Sequence, residues 1–181
     1  MNLRRAQPDD APQLAQIHVD AWRAAYRGVV PATFLAGFTY QKREAAFRQA
    51  IAAGSEETYL VDDDDGRTVG ILTVGASRDA DLDAAVTGEL WGIYLLPDSW
   101  RRGLGTRLVH VAEQMLRDRG YGDIVLWVLD GNMDARRFYA AMGFCEDGAA
   151  KILQLGQPLK AIRYRKRLPA VGSPKEEGEE G

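Results

Sequence analysis

A strand, a glycine-containing loop and a helix follow one another in the middle of the chain, and this unit constrains the fold more than any other segment. Residues 89–96 have the aromatic and branched apolar content of a strand, and Gly92 within them predicts a bulge. A loop over 97–105 leads into a helix over 106–119 with one apolar face. A strand that continues through a short loop into a helix predicts an α/β layout.

The loop of this unit predicts a site for an anion. Gly103 and Gly105 leave the backbone N–H groups at the start of the helix accessible, and Arg101 and Arg102 lie beside them. Such N–H groups and arginines bind phosphate or pyrophosphate. A dinucleotide-binding loop would need a third glycine where Leu108 stands, and the Gly-Lys-Ser/Thr of a P-loop is absent from the sequence. A flexible turn without a ligand is the alternative interpretation of the two glycines.

Further strands and helices are predicted on both sides of this unit. Their order is a strand, two or three helices, three strands, a helix, a strand, a short helix and two closing strands, which predicts an α/β (α+β) domain with a mixed sheet. The predicted strands, besides 89–96, cover 3–6, 58–61, 68–74, 123–129, 144–155 and 159–168. The predicted helices, besides 106–119 and a first helix that starts near Pro8, cover 31–38, 40–53 and 134–142.

The formal net charge of -3 belongs to the end of the chain. Residues 172–181 contain four glutamates and one lysine, so the remainder of the 181 residues sums to zero. We therefore expect one domain over 1–170 and an acidic disordered tail over 171–181. A neutral domain lacks the positive field that nonspecific binding to nucleic acid needs, so nucleic acid is not an expected partner.

One basic stretch lies within the neutral domain. Arg163, Arg165 and Arg167 alternate along the last predicted strand and therefore share one face. A solvated face is the first interpretation of this pattern, and a face that binds an acidic or nucleic-acid partner is the second.

Residue types that would indicate a metal site or a disulfide are scarce. Cys145 is the only cysteine and the two histidines are scattered, so neither a disulfide nor a metal centre is predicted. The aspartates of 62–65 precede Gly66, and we interpret them as a hairpin turn because their spacing does not fit a calcium loop. The longest strongly apolar run, 124–129, is too short to span a bilayer, and no signal-like stretch is present, so we expect a cytoplasmic protein without a membrane partner.

Two motifs in the second half of the chain resemble the GNAT-type N-acetyltransferase superfamily. The first joins Ile-Tyr-Leu-Leu-Pro at 93–97 to Trp-Arg-Arg-Gly-Leu-Gly-Thr at 100–106, and the second joins Asn132 to Ala-Arg-Arg-Phe-Tyr at 135–139 and Met-Gly-Phe at 142–144. The resemblance is strong over 89–144. Over the first 80 residues it is weaker and rests only on the order of the predicted elements, a strand, two helices and a hairpin.

The resemblance implies a fold and a cofactor. The fold is a single GNAT-like domain with a mixed, mostly antiparallel central sheet, helices on both faces and a splay between the strands at 89–96 and 123–129. The cofactor is acetyl-CoA as acyl donor, without a metal; its pantetheine arm pairs with the strand, and the glycine loop holds its pyrophosphate. The family has Gln or Arg where Trp100 stands, so no side-chain contact is carried over to that position. The residues implied to bind acetyl-CoA are Ile93, Tyr94, Leu95, Arg101, Arg102, Gly103, Leu104, Gly105, Thr106 and Asn132, of which Asn132 can also cap a helix.

The resemblance also implies direct attack of an amine on the thioester. Glu89 lies four residues before Ile93, where one branch of the superfamily keeps a glutamate, and it is the candidate general base. A solvated or ion-paired strand glutamate is the alternative. Tyr139 lies seven residues after Asn132, where the family has a tyrosine that protonates the departing thiolate, and it is the candidate general acid, with core packing as the alternative. The backbone N–H near Leu95 is the implied donor to the thioester carbonyl.

The acceptor side is the part that the sequence constrains least. Trp22 and Tyr26 lie on one edge of the first helix and could wall an amine pocket with Phe34 or Phe38, although packing of the helix edge explains them equally well. The implied reaction is acetyl transfer to a primary amine of a small molecule, a peptide or a protein. Dimers are common in such families, and a homodimer is compatible with this reaction. An acyl-CoA-binding regulator or inactive relative, and an interaction module built on the basic strand, are the alternatives.

Overall fold

In the computed structural model, which describes residues 1–54 and 56–169, the strands form one open sheet of seven. They are β1 (Asn2–Arg5), β2 (Glu57–Asp62), β3 (Thr68–Ala76), β4 (Thr87–Leu95), β5 (Asp123–Leu129), β6 (Cys145–Gln154) and β7 (Pro158–Arg167). Their order across the sheet is β1-β2-β3-β4-β5-β7-β6. Each neighbouring pair is antiparallel except β4 and β5, which are parallel. The predicted mixed, mostly antiparallel sheet is confirmed, whereas the predicted tail lies outside the described residues.

Five α-helices flank the sheet within the described part of the chain. They are α1 (Ala11–Ala25), α2 (Ala32–Ala36), α3 (Tyr40–Ala53), α4 (Leu104–Asp118) and α5 (Met133–Ala141). Successive side chains of β3 point to opposite faces of the sheet. Ile71 packs in the cluster that contains residues of α1, and Leu72 packs in the cluster that contains residues of α4. Helices therefore cover both faces, as predicted.

Local signals explain where several helices begin and end. Thr39 caps α3 by accepting a hydrogen bond from the backbone N–H of Lys42, and Gly54 ends the helix in the left-handed conformation at φ 62°. Asn132 caps α5 by accepting from the backbone N–H of Ala135 at 3.2 Å. The predicted helix over 31–38 is shorter in the structure, and α4 begins two residues earlier than predicted.

The parallel pairing of β4 with β5 stops at Glu89, which lies opposite Val125. Beyond this pair the two strands separate, so the predicted splay is present. A bulge accompanies it, because Gly92 and Leu90 pair with successive residues of β3 and leave Trp91 as the extra residue. The glycine itself makes room for a ring, since a Cβ added to Gly92 would lie 2.6 Å from the Tyr94 side chain.

The basic strand is only partly a solvated face. Arg163 is buried, and its guanidinium donates hydrogen bonds to Asp79, Asp81 and Asp147 at 2.7 to 3.2 Å. Arg167 alone of the alternating arginines is exposed, because Arg165 is half-buried and paired with an aspartate. The solvated-face interpretation is therefore wrong for Arg163, whose acidic partners come from this chain.

No helix within residues 1–54 and 56–169 is long and apolar enough to cross a membrane. No group of three or more His, Cys, Asp and Glu side chains there could hold a metal ion.

Candidate active site

The gap between β4 and β5 exposes backbone groups of β4. Leu96 donates its N–H to the carbonyl of Val69 on the β3 side. Because backbone groups alternate between the two edges of a strand, the N–H and C=O groups of Leu95 and Ile93 point to the opposite edge. That edge faces the gap, since the pairing with β5 has ended at Glu89. An extended ligand can therefore pair with β4 here as an additional strand.

The start of α4 lies next in the chain and is free of a side-chain cap. Arg107 is the first residue of α4 whose N–H bonds within the helix, to Gly103 at 3.1 Å, so the preceding amides have no partner in the helix. The loop before them is tightly wound, because Arg101 and Gly103 both adopt positive φ, at 57° and 79°. Arg101 and Arg102 are exposed beside these amides, which suits a pyrophosphate.

Trp100 ties this loop to β4. Its indole Nε1 donates a hydrogen bond of 2.7 Å to the carbonyl of Leu95. Just before Trp100 in the loop, Asp98 and Ser99 accept hydrogen bonds from Arg67 at 2.9 and 3.2 Å. The first half of the loop is thus fixed to β4 and to the β2–β3 turn.

A surface depression of about 620 Å³ lies beside the same loop. Three carboxylates and two guanidinium groups line it together with Trp100: Asp63, Asp65, Asp98, Arg67 and Arg102. The three carboxylates repel anions, so this depression suits a phosphate less well than the helix start does.

Gly105 serves helix packing. A Cβ added there would lie 3.3 Å from the Phe138 ring, so the missing side chain lets α5 approach the first turn of α4. The contact fixes the distance between the glycine loop and the helix that carries Tyr139.

Tyr139 lies on α5 with its ring 5.0 Å from that of Phe138 and 5.8 Å from that of Phe144. Burial and the neighbouring Tyr94 raise the pKa of Tyr139 above its ordinary value. The phenol therefore keeps its proton through neutral and moderately alkaline pH and can act as a donor.

Tyr26, the residue that follows α1, joins this group. Burial raises its pKa, and so do Tyr94 and Tyr139, whereas the adjacent Asn132 side chain opposes the shift. The predicted acceptor residue Tyr26 and the predicted cofactor residue Asn132 thus lie together. Phenol groups from three elements converge beside the gap.

Aromatic rings continue from Tyr26 along α1. The ring centroid of Trp22 lies 4.4 Å from that of Tyr26 and 4.8 Å from that of Phe38, on which it stacks. The ring centroids of His18 and Tyr94 are 4.3 Å apart. Within the described residues, His18 Nδ1 and Trp22 Nε1 are buried without a hydrogen-bond partner. Both predicted contributions of Trp22, wall and packing, are compatible with this position.

Glu89 is buried where β4 and β5 diverge, and Arg78 binds its carboxylate. The backbone N–H and Nε of Arg78 donate to Oε2 at 3.0 and 3.2 Å, and its terminal nitrogen bonds Oε1. The guanidinium lies 3.9 Å from the centroid of Trp91. Since Oε1 accepts only one of these bonds, it retains a lone pair for a further donor.

Sequence reasoning missed Arg78 and the side chain of Tyr94. A loop arginine 11 positions before Glu89 carries no local signal of its partner. Tyr94 did leave a signal: a glycine two residues before an aromatic residue on one strand face indicates that the ring needs the space.

Comparisons with known proteins agree with this geometry. Residues 12–144 match the Acetyltransferase (GNAT) family. An uncharacterized N-acetyltransferase of Bacillus subtilis is 27% identical over 132 residues, 73% of either chain. One of Archaeoglobus fulgidus is 27% identical over 78% of this chain and 90% of its own. The PaiA N-acetyltransferase of Thermoplasma acidophilum, crystallised in complex with coenzyme A, superposes with a TM-score of 0.72 over 92% of this chain and 98% of its own, at 18% identity, which shows likeness of fold.

Proposed function

The chain belongs to the GNAT acetyltransferase family, and on that premise we propose how its residues perform the acetyl-CoA-dependent N-acetylation of a primary amine. The observation that carries the proposal is the end of β4–β5 pairing at Glu89. It leaves a free β4 edge, next to which lie the uncapped start of α4 and the protonated phenol of Tyr139.

The residues around the gap fit acetyl-CoA. Acetyl-CoA, when bound, supplies a thioester whose C–S bond is exchanged for the C–N bond of the product. Ile93 and Leu95 offer their backbone groups to the pantetheine arm, and the Leu95 carbonyl, which already accepts from Trp100, has one lone pair left for it. The amides of Leu104, Gly105 and Thr106, with Arg101 and Arg102, bind the pyrophosphate.

Tyr139 acts as the general acid. Its raised pKa keeps the phenol protonated but also makes it a weaker acid than the coenzyme A thiol, which is the stronger acid even at the reference pKa values of about 8.5 against 10. The donor must therefore be held close to the sulfur, a requirement that the rigid contact of α5 with Gly105 serves. The N–H of Leu95 donates to the thioester oxygen as negative charge develops on it.

Glu89 accepts the proton that the amine loses. It lies at the point where the strands diverge, and its Oε1 has a lone pair left to accept from either the amine or a water molecule. Arg78 fixes the carboxylate in that orientation. The amine loses one proton and the sulfur gains one, so the transfer is balanced.

The pair between Arg78 and Glu89 also favours a second candidate function, an acyl-CoA-binding protein without turnover, because the guanidinium occupies the carboxylate in the structure. Thiol release from acetyl-CoA across a panel of primary amines, combined with calorimetry of coenzyme A binding, separates the two. Amine-dependent release supports the enzyme. Binding without release supports the second candidate, and absence of both contradicts either proposal.

A further inference from the structure

A groove of about 430 Å³ opens on the α1–α2 side of the molecule. Residues 27–32, Leu35 and Gln157 line it. Its volume falls within the range of pockets that bind small organic molecules.

The groove adjoins the candidate active site. Val29, Val30 and Leu35 belong to the same apolar cluster as Tyr26 and Trp127. Tyr26 in turn lies beside Asn132, and Tyr139 contributes to the raised pKa of Tyr26. Tyr26 is therefore a shared neighbour of the cluster that lines the groove and of the candidate active site.

The walls of the groove are held by close backbone approaches. A Cβ added to Gly131 would lie 3.2 Å from Val29, and one added to Gly156 would lie 2.9 Å from Phe34. The α1–α2 connection therefore rests on the turn after β5, and α2 rests on the β6–β7 turn. Such contacts make the groove preformed.

The lining of the groove carries positive charge and no negative charge. Arg27 is its only charged residue, and among the described residues no hydrogen bond or ion pair involves the Arg27 side chain. Gln157 adds a neutral amide, and the remaining lining is apolar or backbone. A second cation on the acceptor would meet no carboxylate here, whereas a carboxylate would meet a free guanidinium.

We propose that this groove binds the non-reacting end of the acceptor, and that the acceptor is a small amine with an apolar side chain and a carboxylate, such as an apolar amino acid or a short peptide. Arg27 and Gln157 hold the carboxylate, and Val29, Val30 and Leu35 contact the apolar side chain. This inference rests on the proposed acetyl transfer and names its substrate class.

Thiol release from acetyl-CoA with leucine, leucyl-leucine, leucinamide and spermidine tests it. We expect kcat/KM for leucine or leucyl-leucine to exceed that for leucinamide by about tenfold or more, because a charged hydrogen bond is lost in the amide. The ratio of kcat/KM for leucyl-leucine to kcat/KM for leucine distinguishes a peptide acceptor from an amino acid. Spermidine, which has extra cations, should be the poorest substrate.

Arg27→Gln should remove the preference for the carboxylate by raising KM for leucine about tenfold, with the rate on leucinamide unchanged. Arg5→Gln is the matched control, because Arg5 is exposed on β1 at the far edge of the sheet. Equal rates on leucine and leucinamide, or a preference for spermidine, would overturn the inference and leave the transferase proposal intact. If no amine of a wide panel gave thiol release, both the inference and the transferase proposal would be overturned.

Discussion

The indole Nε1 of Trp100 donates a 2.7 Å hydrogen bond to the backbone carbonyl of Leu95. This bond joins the loop that precedes α4 to the end of β4, and so joins the candidate pyrophosphate site to the candidate pantetheine strand. It also occupies one of the two lone pairs of the Leu95 carbonyl and leaves the other for a ligand. The two halves of the cofactor site are thereby held in fixed relation.

Trp100→Phe keeps the ring and removes this hydrogen bond. A hydrogen bond contributes about 0.5–1.5 kcal/mol, so we expect coenzyme A affinity to fall roughly two- to tenfold in calorimetry. Trp91→Phe is the matched control, since its indole donates to the carbonyl of Ala76, away from the loop. Equal effects of the two variants would contradict a special role for Trp100.

Tyr139→Phe should lower kcat without weakening coenzyme A binding. Loss of a positioned acid lowers the rate on the order of 10²–10⁴-fold. Because burial raises the pKa of Tyr139, the wild-type rate should show no alkaline loss from this group up to about pH 9. Tyr40→Phe, on an exposed hydroxyl bonded to Asp20, is the control and should retain full activity. An unchanged kcat in Tyr139→Phe would exclude the acid role.

The single variants Glu89→Gln and Arg78→Gln, compared with each other, show whether Glu89 is a general base or a structural carboxylate. If Glu89 accepts the proton of the amine, Glu89→Gln lowers kcat about a hundredfold while Arg78→Gln, which keeps the carboxylate, lowers it much less. If the ion pair only supports the sheet, both variants disturb the same contact and lower activity alike. Initial rates at saturating amine, with thermal unfolding as a check on folding, decide between these outcomes.

Sequence patterns located the elements where the determining contacts are local. The bounds of α3 follow from Thr39 and Gly54, and the continuously apolar run of β5 marks a strand buried on both faces. The splay was also predictable, because a glycine within β4 and the family motif around it point to the same place.

Contacts between distant segments were not predictable in this way. Arg163 meets Asp79, 84 positions earlier, and alternation along β7 describes only which face a side chain is on, not what covers that face. Gly105 was predicted from its place in an anion-binding loop, yet its missing Cβ is explained by Phe138, a residue of another helix. The sequence thus indicates which backbone is available to a ligand but not which side chains surround it.

Arg163→Met should destabilise the protein by about 3 kcal/mol, the low end for an opened buried ion pair, because Asp81 is largely exposed. The guanidinium lowers the pKa of Asp81, so the stability it adds is present above the ordinary aspartate range and lost as pH falls through that range. The difference between variant and wild type should accordingly shrink below about pH 4 in urea unfolding. Arg165→Met, which opens a half-exposed pair with Asp123, should cost less than about 1 kcal/mol. Equal losses in both variants would contradict this account.

His18 makes folding sensitive to mild acid. Burial, assisted by the charge of Arg43, lowers the pKa of this histidine from 6.5 to about 3, so the folded protein keeps it neutral among Phe38, Phe47 and Tyr94. The unfolded chain binds a proton there below about pH 6.5, so stability is full above that pH and falls towards the folded pKa at about 1.4 kcal/mol per unit.

Urea unfolding between pH 7.5 and 5 measures this slope. His18→Phe removes the titrating group and places a ring among rings, so its stability should be nearly independent of pH over this interval. His110→Phe is the matched control, because His110 is exposed on α4 and its replacement should leave the wild-type slope in place. The slope rather than the absolute stability is the readout, so a packing defect of the larger ring does not obscure the result. A wild-type slope that persists in His18→Phe would assign the acid sensitivity to another group.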